Sequence, residues 1–170
     1  MSSASDSGLP AFRAFEAADT DTLAGIFRAA VRVTGAAAYD IAQIAAWASS
    51  ADTPAFANGL SLGHCIVAER DGAIVGFGQL YPPLDHVHLL YVAPAFARQG
   101  IASALLERLE AVAIKAGAHM LGCNASQLSQ PVFARAGWRL DEVESVERGD
   151  VRFERFRMSK SLGGDQGAER

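Results

Sequence analysis

The segment from Leu89 to Ser103 constrains the fold more than any other part of the sequence. Residues 89–92 form an apolar run that predicts a buried strand, Pro94 ends it, and Gly100 begins a helix. A strand that enters a tight loop and leaves it as a helix presents free backbone N–H groups and the positive end of the helix dipole. This arrangement favours a phosphate or pyrophosphate ligand. The alternative is that Gly100 only turns a loop into a helix, and the spacing alone does not decide between the two.

The rest of the chain supplies the elements of one mixed α/β domain. The chain has 170 residues, of which 50% are hydrophobic, so it is long enough for one core and too apolar to be disordered throughout. Helical spacing predicts one helix that begins near Asp19 and is broken by Gly35, and a second helix after Asp40. We expect a disordered tail at residues 1–8, a single domain at residues 9–162 and a flexible tail at residues 163–170.

Strand signals and turn residues predict the remaining elements. Asp71-Gly72 is a hairpin turn signal, and Gly117 stands where a helix C-cap is expected. The predicted strands cover residues 65–68, 73–80, 86–92, 119–123, 139–147 and 151–158. A short helix is predicted from about residue 130 to 137, and residues 52–63 read as a loop. The predicted order is therefore α-α-β-β-β-α-β-α-β-β.

Charge and composition exclude several classes of function. The formal net charge is −4 and there is no basic run, which argues against a nucleic-acid partner. The sequence has no apolar run of membrane-spanning length and no basic, apolar start typical of a secretory signal, so we expect a cytoplasmic protein with no membrane partner. Cys65 and Cys123 lie far apart in apolar runs, which is typical of buried, reduced thiols. Neither has the closely spaced ligands of a metal site, so no metal is expected.

Two of the four histidines lie in one short predicted strand. His86 and His88 are two residues apart, so their side chains are expected on the same face of that strand. With water between, two imidazoles can remove a proton from an ammonium group near neutral pH. The alternative is that one or both are ordinary hydrogen-bonded core residues. A metal role would need a third ligand, and Asp85 is expected on the opposite face of the strand.

Residues 97–102, Ala97-Arg98-Gln99-Gly100-Ile101-Ala102, resemble the loop Gln/Arg-x-x-Gly-x-Gly/Ala of the GNAT acyltransferase superfamily. The strand before it, Leu90-Tyr91-Val92 followed by Pro94, is similar to the one that precedes this loop in the family. Ala97 departs from the pattern, because the family usually has a polar side chain there. Since much of the phosphate contact comes from backbone N–H groups, we expect the site to survive this change.

The resemblance implies a central, mostly antiparallel, twisted sheet flanked by helices, and acetyl-CoA as the acetyl donor. It assigns the acetyl group and the pantetheine arm to the strand backbone at Leu90, Tyr91 and Val92. It assigns the pyrophosphate to the loop and helix start at Arg98, Gln99, Gly100, Ile101, Ala102 and Ser103. It also supports a base role for the histidines, because protein-acetylating members have a glutamate at the place of His86 and another member has histidines at both places.

The stretch from Ser126 to Trp138 resembles the family segment Asn-x-x-Ala-x-x-Phe-Tyr-x-x-x-Gly-Phe. Ser126 stands where Asn is usual and Phe133 where Tyr is usual, and the resemblance implies that both contact the cofactor. Phe133 can pack against the pantetheine arm but cannot donate a proton, so the general acid is unassigned. Water or the hydroxyl of Ser126, Ser129, Tyr81 or Tyr91 are the candidates.

The acceptor pocket of the family is built by the first two helices and the early loops, which points to Tyr39, Trp47 and Tyr81 as substrate-binding residues. The leading hypothesis is an N-acetyltransferase in which a primary amine attacks acetyl-CoA directly, with a histidine acting through water as general base. A non-catalytic CoA-binding sensor or interaction module is the alternative from another class. An acetyltransferase for a protein N-terminus or lysine differs only in its acceptor. The sequence does not decide whether the protein forms a homodimer.

Overall fold

The computed structural model describes residues 8–163, which form a seven-stranded sheet with helices on both faces. The predicted tails fall almost entirely on residues 1–7 and 164–170, which lie outside the described residues. The strands are β1 (Ala11–Ala14), β2 (His64–Arg70), β3 (Ala73–Tyr81), β4 (His86–Val92), β5 (Met120–Ala125), β6 (Arg139–Arg148) and β7 (Val151–Ser161). Their order across the sheet is β1-β2-β3-β4-β5-β7-β6. All neighbouring strands are antiparallel except β4 and β5, so the predicted mixed α/β, mostly antiparallel sheet is confirmed.

Five α-helices cover the two faces of this sheet within residues 8–163. They are α1 (Thr20–Ala29), α2 (Ile41–Ala48), α3 (Pro54–Gly59), α4 (Ile101–Lys115) and α5 (Gln130–Arg135). A wide turn over Ala30–Thr34 extends α1, and short turns of tight helix occupy Ala17–Asp19, Gly35–Ala37, Ser49–Asp52 and Pro94–Phe96. No helix among these residues is both long and apolar enough to cross a membrane.

Two predictions about the early part of the chain were wrong. The strand β1 was not predicted, because its four residues give too short an alternation to be recognised, and it forms by pairing with β2. The stretch 52–63 is not a plain loop, because it contains α3. Thr53 caps that helix by accepting a hydrogen bond from the Phe56 N–H at 3.2 Å, and Pro54 occupies its first turn.

The core lies in two layers, one on each face of the sheet. One layer joins α1, α2 and α3 to the sheet through Leu23, Phe27 and Phe77, and the other joins α4 through Ile101, Leu105 and Leu109. α4 packs closely because β3 carries Gly78 beneath it. A Cβ at Gly78 would lie 2.9 Å from Leu109 Cδ1, which is too near for both atoms.

Candidate active site

The sheet opens where β4 and β5 separate. These two parallel strands pair only at His86 with Gly122 and at Val87 with Cys123. Beyond Val87, β4 is bonded to β3 alone, so the alternate peptide groups on its β5 side have no strand partner. The register of β4 also shifts at this point, because Leu80 pairs with Val87 and Gln79 with Leu89, which leaves His88 as a bulge residue.

Two adjoining cavities meet at this opening. The cavity at the start of α4, here called the helix-end cavity, has a volume of about 420 Å³. The cavity on the other side, here called the histidine cavity, has a volume of about 490 Å³. The residues that line both of them are Trp47, Leu90, Tyr91, Ser126 and Ser129. A ligand in one cavity can therefore meet a ligand in the other at the separated part of β4.

The helix-end cavity has the chemistry of an anion site. Gly100 precedes α4 with a φ of 79°, in the left-handed region, and no side chain caps the helix, so its first N–H groups face the cavity without an intrahelical or side-chain acceptor. Arg98 and Arg135 line the same cavity, and no Asp or Glu of residues 8–163 does. Backbone donors, a helix dipole and two guanidinium groups together suit a pyrophosphate.

Most of the residues assigned to the donor by resemblance lie in this cavity. They are Leu90, Tyr91, Val92, Arg98, Gly100, Ile101, Ala102, Ser103 and Ser126. Gln99 does not line it, because its side-chain oxygen accepts a hydrogen bond from Arg70 at 2.6 Å. Phe133 lines the histidine cavity instead, where only 3% of its surface is exposed, and packs edge-on against Trp138.

His86 and His88 both line the histidine cavity. Burial lowers the pKa of His86 below its usual value; nearby Asp85 opposes this change and Arg155 adds to it. Burial also lowers the pKa of His88, and His86 and Arg148 act in the same direction. Both imidazoles are therefore neutral at pH 7 and able to accept a proton.

Aromatic side chains hold His88 and form the walls of the histidine cavity. The Tyr81 ring stacks on the His88 ring at a centroid distance of 3.8 Å and an angle of 18°. Tyr39 and Trp47 meet edge-on at 5.2 Å, and both also contact Phe153. The three predicted substrate-binding residues Tyr39, Trp47 and Tyr81 thus lie in one cavity. Phe153 was missed, because it comes from β7 and nothing in its local sequence links it to α2.

Contacts from α2 and the segment before it bridge to the opposite side of the cleft. The Tyr39 hydroxyl accepts a hydrogen bond from the Gln127 N–H at 2.9 Å, between the start of α2 and the loop before α5. The Gln43 amide donates to the Arg152 carbonyl on β7 at 2.9 Å. Asp40 caps α2 by accepting from the Gln43 N–H at 2.8 Å, and neither it nor Asp85 lines the cavity.

Two other titratable groups near the site, the Cys123 thiol and the Tyr91 hydroxyl, are poor nucleophiles and bases. Burial raises the pKa of the Cys123 thiol to about 12, and that of the Tyr91 hydroxyl to about 12 as well. Both groups stay protonated at neutral pH. Among residues 8–163, no cluster of three or more His, Cys, Asp or Glu side chains is placed to hold a metal ion.

Three arginines of the site were missed by the sequence analysis. Arg135 lines the helix-end cavity, and Arg148 and Arg155 line the histidine cavity. In the sequence, Arg148 lies between the last two predicted strands, residues 139–147 and 151–158, where a turn is expected. An arginine next to a hairpin turn normally lies in solvent, so only the pairing of β5 with β7 shows that this hairpin reaches the site.

The chain matches known proteins along most of its length. A family model described as an acetyltransferase (GNAT) domain matches residues 36–162. The chain is 32% identical over 147 residues to the uncharacterized N-acetyltransferase YafP of Escherichia coli (strain K12), covering 86% of this chain and 92% of that protein. The chain belongs to the GNAT family of N-acetyltransferases. The opening between β4 and β5 and the uncapped start of α4 are thus parts of a GNAT acetyltransferase domain.

Solved structures support the same GNAT fold. A GCN5-related N-acetyltransferase (aminotransferase, class II) from Rhodopseudomonas palustris matches with a TM-score of 0.87 and 33% identity, over 91% of this chain and 96% of that one. The PaiA N-acetyltransferase of Thermoplasma acidophilum, solved with coenzyme A, matches with a TM-score of 0.72 and 20% identity, over 89% and 98%. At that identity the second likeness shows the fold alone.

Proposed function

We propose that this GNAT protein transfers the acetyl group of acetyl-CoA to the nitrogen of a small primary amine by direct attack. The observation that carries the proposal is the position of His86 and His88. Both line a cavity that meets the helix-end cavity at the separated part of β4. A proton acceptor therefore lies beside the place where an acceptor amine would meet the donor.

The helix-end cavity would hold acetyl-CoA. The N–H groups at the start of α4, with Arg98 and Arg135, would bind its pyrophosphate. The pantetheine arm would then run along the unpaired edge of β4, beside Leu90 and Val92. Backbone N–H groups of that edge would stabilise the negative charge that develops on the carbonyl oxygen during attack. Acetyl-CoA complexes among GNAT structures, such as that of YncA from Salmonella typhimurium, support this choice of donor.

His86 would act as the general base through a water molecule, with His88 as the second candidate. The amine nitrogen forms a bond to the carbonyl carbon, the carbon–sulfur bond breaks, and the ammonium proton passes through water to the imidazole.

The coenzyme A thiolate leaves and takes up a proton. Ser126 and Ser129 line both cavities, and their hydroxyl oxygens lie 3.1 Å apart, so they are the groups best placed to donate to the thiolate. In Ser129→Ala we expect kcat to fall while acetyl-CoA affinity is kept.

Two alternatives to a small-amine acetyltransferase are a CoA-binding sensor and an acetyltransferase for a protein acceptor, and a physical argument bears on each. A CoA-binding sensor is favoured by Phe133, which cannot supply the proton that a tyrosine would. A protein acceptor is disfavoured by the bonds from Tyr39 to Gln127 and from Gln43 to Arg152, because they bridge the cleft that a folded chain would have to enter. We therefore place a small amine first.

The proposal is tested by incubating the full chain with acetyl-CoA and a panel of acceptors while free thiol is measured. The panel contains amino acids, arylalkylamines, diamines and a peptide with a free N-terminus. We expect thiol release well above the hydrolysis background with small amines and not with the peptide. His86→Gln should lower kcat/KM about 100-fold or more, because a positioned base contributes at least that much.

The matched control is His119→Gln, which changes a histidine outside both cavities. It should keep the rate of the unaltered protein, and all three proteins should bind acetyl-CoA equally well. Equal rates for His86→Gln and the unaltered protein would remove the base assignment. Tight binding of acetyl-CoA without turnover of any acceptor would favour the sensor.

A further inference from the structure

The histidine cavity carries a cation that the acetyl transfer itself does not use. Arg148 lines this cavity, yet it forms no ion pair with any of residues 8–163. Its guanidinium carbon lies 5.9 Å from the centre of the Phe153 ring, which belongs to the aromatic wall. The other lining arginine, Arg155, is already neutralised by Glu144 at 2.6 Å.

No carboxylate among the described residues forms an ion pair with Arg148, although Glu154 lines the same cavity. The two histidines of the cavity are neutral at pH 7, because burial lowers the pKa of each. Arg148 contributes to the lowered pKa of His88, so its field reaches the proposed reaction centre. A guanidinium beside an apolar wall binds a carboxylate strongly, since it presents paired N–H donors and is weakly hydrated.

We propose that the acceptor of this enzyme is a small amine that carries a carboxylate beside an apolar or aromatic group, with Arg148 binding the carboxylate. This inference rests on the proposed amine acetylation and adds the class of acceptor. The amine would then lie towards His86, and the apolar group would lie against Phe27, Phe56 and Trp47. An α-amino acid with an aromatic side chain has all three parts.

One residue of the cavity supports a competing acceptor. Glu154 also lines the cavity, and its side chain has no hydrogen bond or ion pair with the other described residues. A dication such as a diamine would use Glu154 and be repelled by Arg148. We favour the carboxylate because Arg148 lies over the Phe153 ring, whereas the Glu154 side chain has no hydrogen bond or ion pair among the described residues to hold it in place. A carboxylate acceptor and a dication acceptor predict opposite effects of Arg148→Gln and Glu154→Gln.

The test compares phenylalanine with phenylalaninamide, phenethylamine and putrescine as acceptors, with free thiol release measured for the full chain. We expect phenylalanine to give the highest kcat/KM of the four. Arg148→Gln should lower its kcat/KM about 10- to 100-fold, the range for one charge-assisted hydrogen-bonded contact. The same variant should leave phenethylamine unaffected or improved. Arg139→Gln removes the same charge from the same strand, outside both cavities, and should change nothing.

A binding measurement separates this inference from the proposed function. N-Acetylphenylalanine, the expected product, is titrated by calorimetry into the protein saturated with CoA. Binding that is lost in Arg148→Gln and kept in Arg139→Gln upholds the carboxylate site even if no amine is turned over. Turnover of phenethylamine as fast as phenylalanine leaves the acetyltransferase proposal standing and overturns the carboxylate site. A preference for putrescine that is lost in Glu154→Gln overturns the carboxylate site in favour of a dication. Binding of N-acetylphenylalanine that is unchanged in Arg148→Gln also overturns the carboxylate site.

Discussion

At the scale of single residues, the site depends on histidines that burial keeps neutral. The His88 ring is fixed by stacking on Tyr81, and His86 lies opposite Gly122 on β5. A Cβ at Gly122 would lie 3.6 Å from His86 Nδ1, in ordinary contact. The site therefore positions two bases whose lowered pKa values let their neutral forms persist into mildly acidic solution.

This environment gives a prediction for the pH dependence of the reaction. Because the pKa of His86 is lowered from 6.5, the acid limb of kcat/KM should lie below pH 6.5 in the unaltered protein. Asp85 opposes that lowering, so Asp85→Asn should move the limb to still lower pH if His86 is the base. The measurement is kcat/KM for one amine from pH 5 to 8, so that the ionisation of the amine is common to all variants.

The two histidines can be told apart by the same profiles. Arg148 lowers the pKa of His88 and is not among the groups that shift His86, so Arg148→Gln should raise the limb only if His88 is the base. Proton NMR titration of both rings, assigned with His86→Gln and His88→Gln, gives the two values directly. A limb above pH 6.5 that neither Asp85→Asn nor Arg148→Gln moves would assign the proton transfer to another group.

At the scale of elements, α4 and its preceding loop form the part of the site that binds the donor. Ile101, Leu105 and Leu109 anchor the helix in the core, and the glycines of β3 let it lie close to the sheet. The buried side chains of α4 thus hold the helix start against the sheet. Within residues 8–163, the first N–H groups of α4 have no side-chain hydrogen-bond acceptor, and Arg98 and Arg135 line the cavity beside them.

The donor site predicts a difference between coenzyme A and its phosphate-free fragment. Arg98→Gln and Arg135→Gln should each weaken CoA binding about 10-fold, because each removes one charge-assisted contact to phosphate. Neither should alter the affinity for pantetheine, which lacks the pyrophosphate. Arg108→Gln is the matched control, since Arg108 lies on α4 over the Phe12 ring and outside the cavity. Equal losses for CoA and pantetheine would show a general distortion of the site instead.

At the scale of the whole molecule, an ion-pair network fixes the first strand to the domain. Arg13 on β1 bonds Asp19 through two nitrogens at 2.8 and 2.9 Å and contacts Glu69 on β2 at 2.8 Å. Asp19 also accepts a hydrogen bond from the Glu16 N–H and is only 8% exposed. The network therefore couples the sheet edge to the start of α1, which carries part of the cleft wall.

This network makes a prediction about stability. The Arg13 guanidinium lowers the pKa of Asp19 below 3.8, so its contribution is present above pH 3.8 and is lost as the pH falls below that value. Asp19→Asn should lower the free energy of unfolding at pH 7 by about 1–3 kcal/mol, the range for hydrogen bonds to a charged group. Urea denaturation at pH 7 and at pH 3 measures both effects.

The control for this prediction is a more exposed ion pair. Asp52 pairs with Arg28 at 2.7 Å, but 60% of its side chain is exposed, so Asp52→Asn should cost at most about 1 kcal/mol. The difference between Asp19→Asn and the unaltered protein should shrink as the pH falls towards 3. A constant difference at both pH values would mean that the loss comes from packing rather than charge.

The sequence by itself determined the features that local pattern encodes. The strand, loop and helix of residues 89–103 follow from an apolar run, Pro94 and Gly100, and the structure has β4 and α4 there. A common face for His86 and His88 was predicted from their spacing of two residues along a strand, and both line the histidine cavity although His88 is a bulge residue. These features were predictable because each depends on neighbours in the chain.

The tertiary structure decided what depends on residues far apart in the chain. β1 exists only through its pairing with β2, more than fifty positions away, and the gap between β4 and β5 exists because their pairing stops at Val87. Arg148 and Phe153 reach the cleft because β7 pairs with β5. No local sequence pattern predicts that these two residues line the cavity. Local spacing sets which way a side chain points from its own strand, but only long-range packing sets what it then faces.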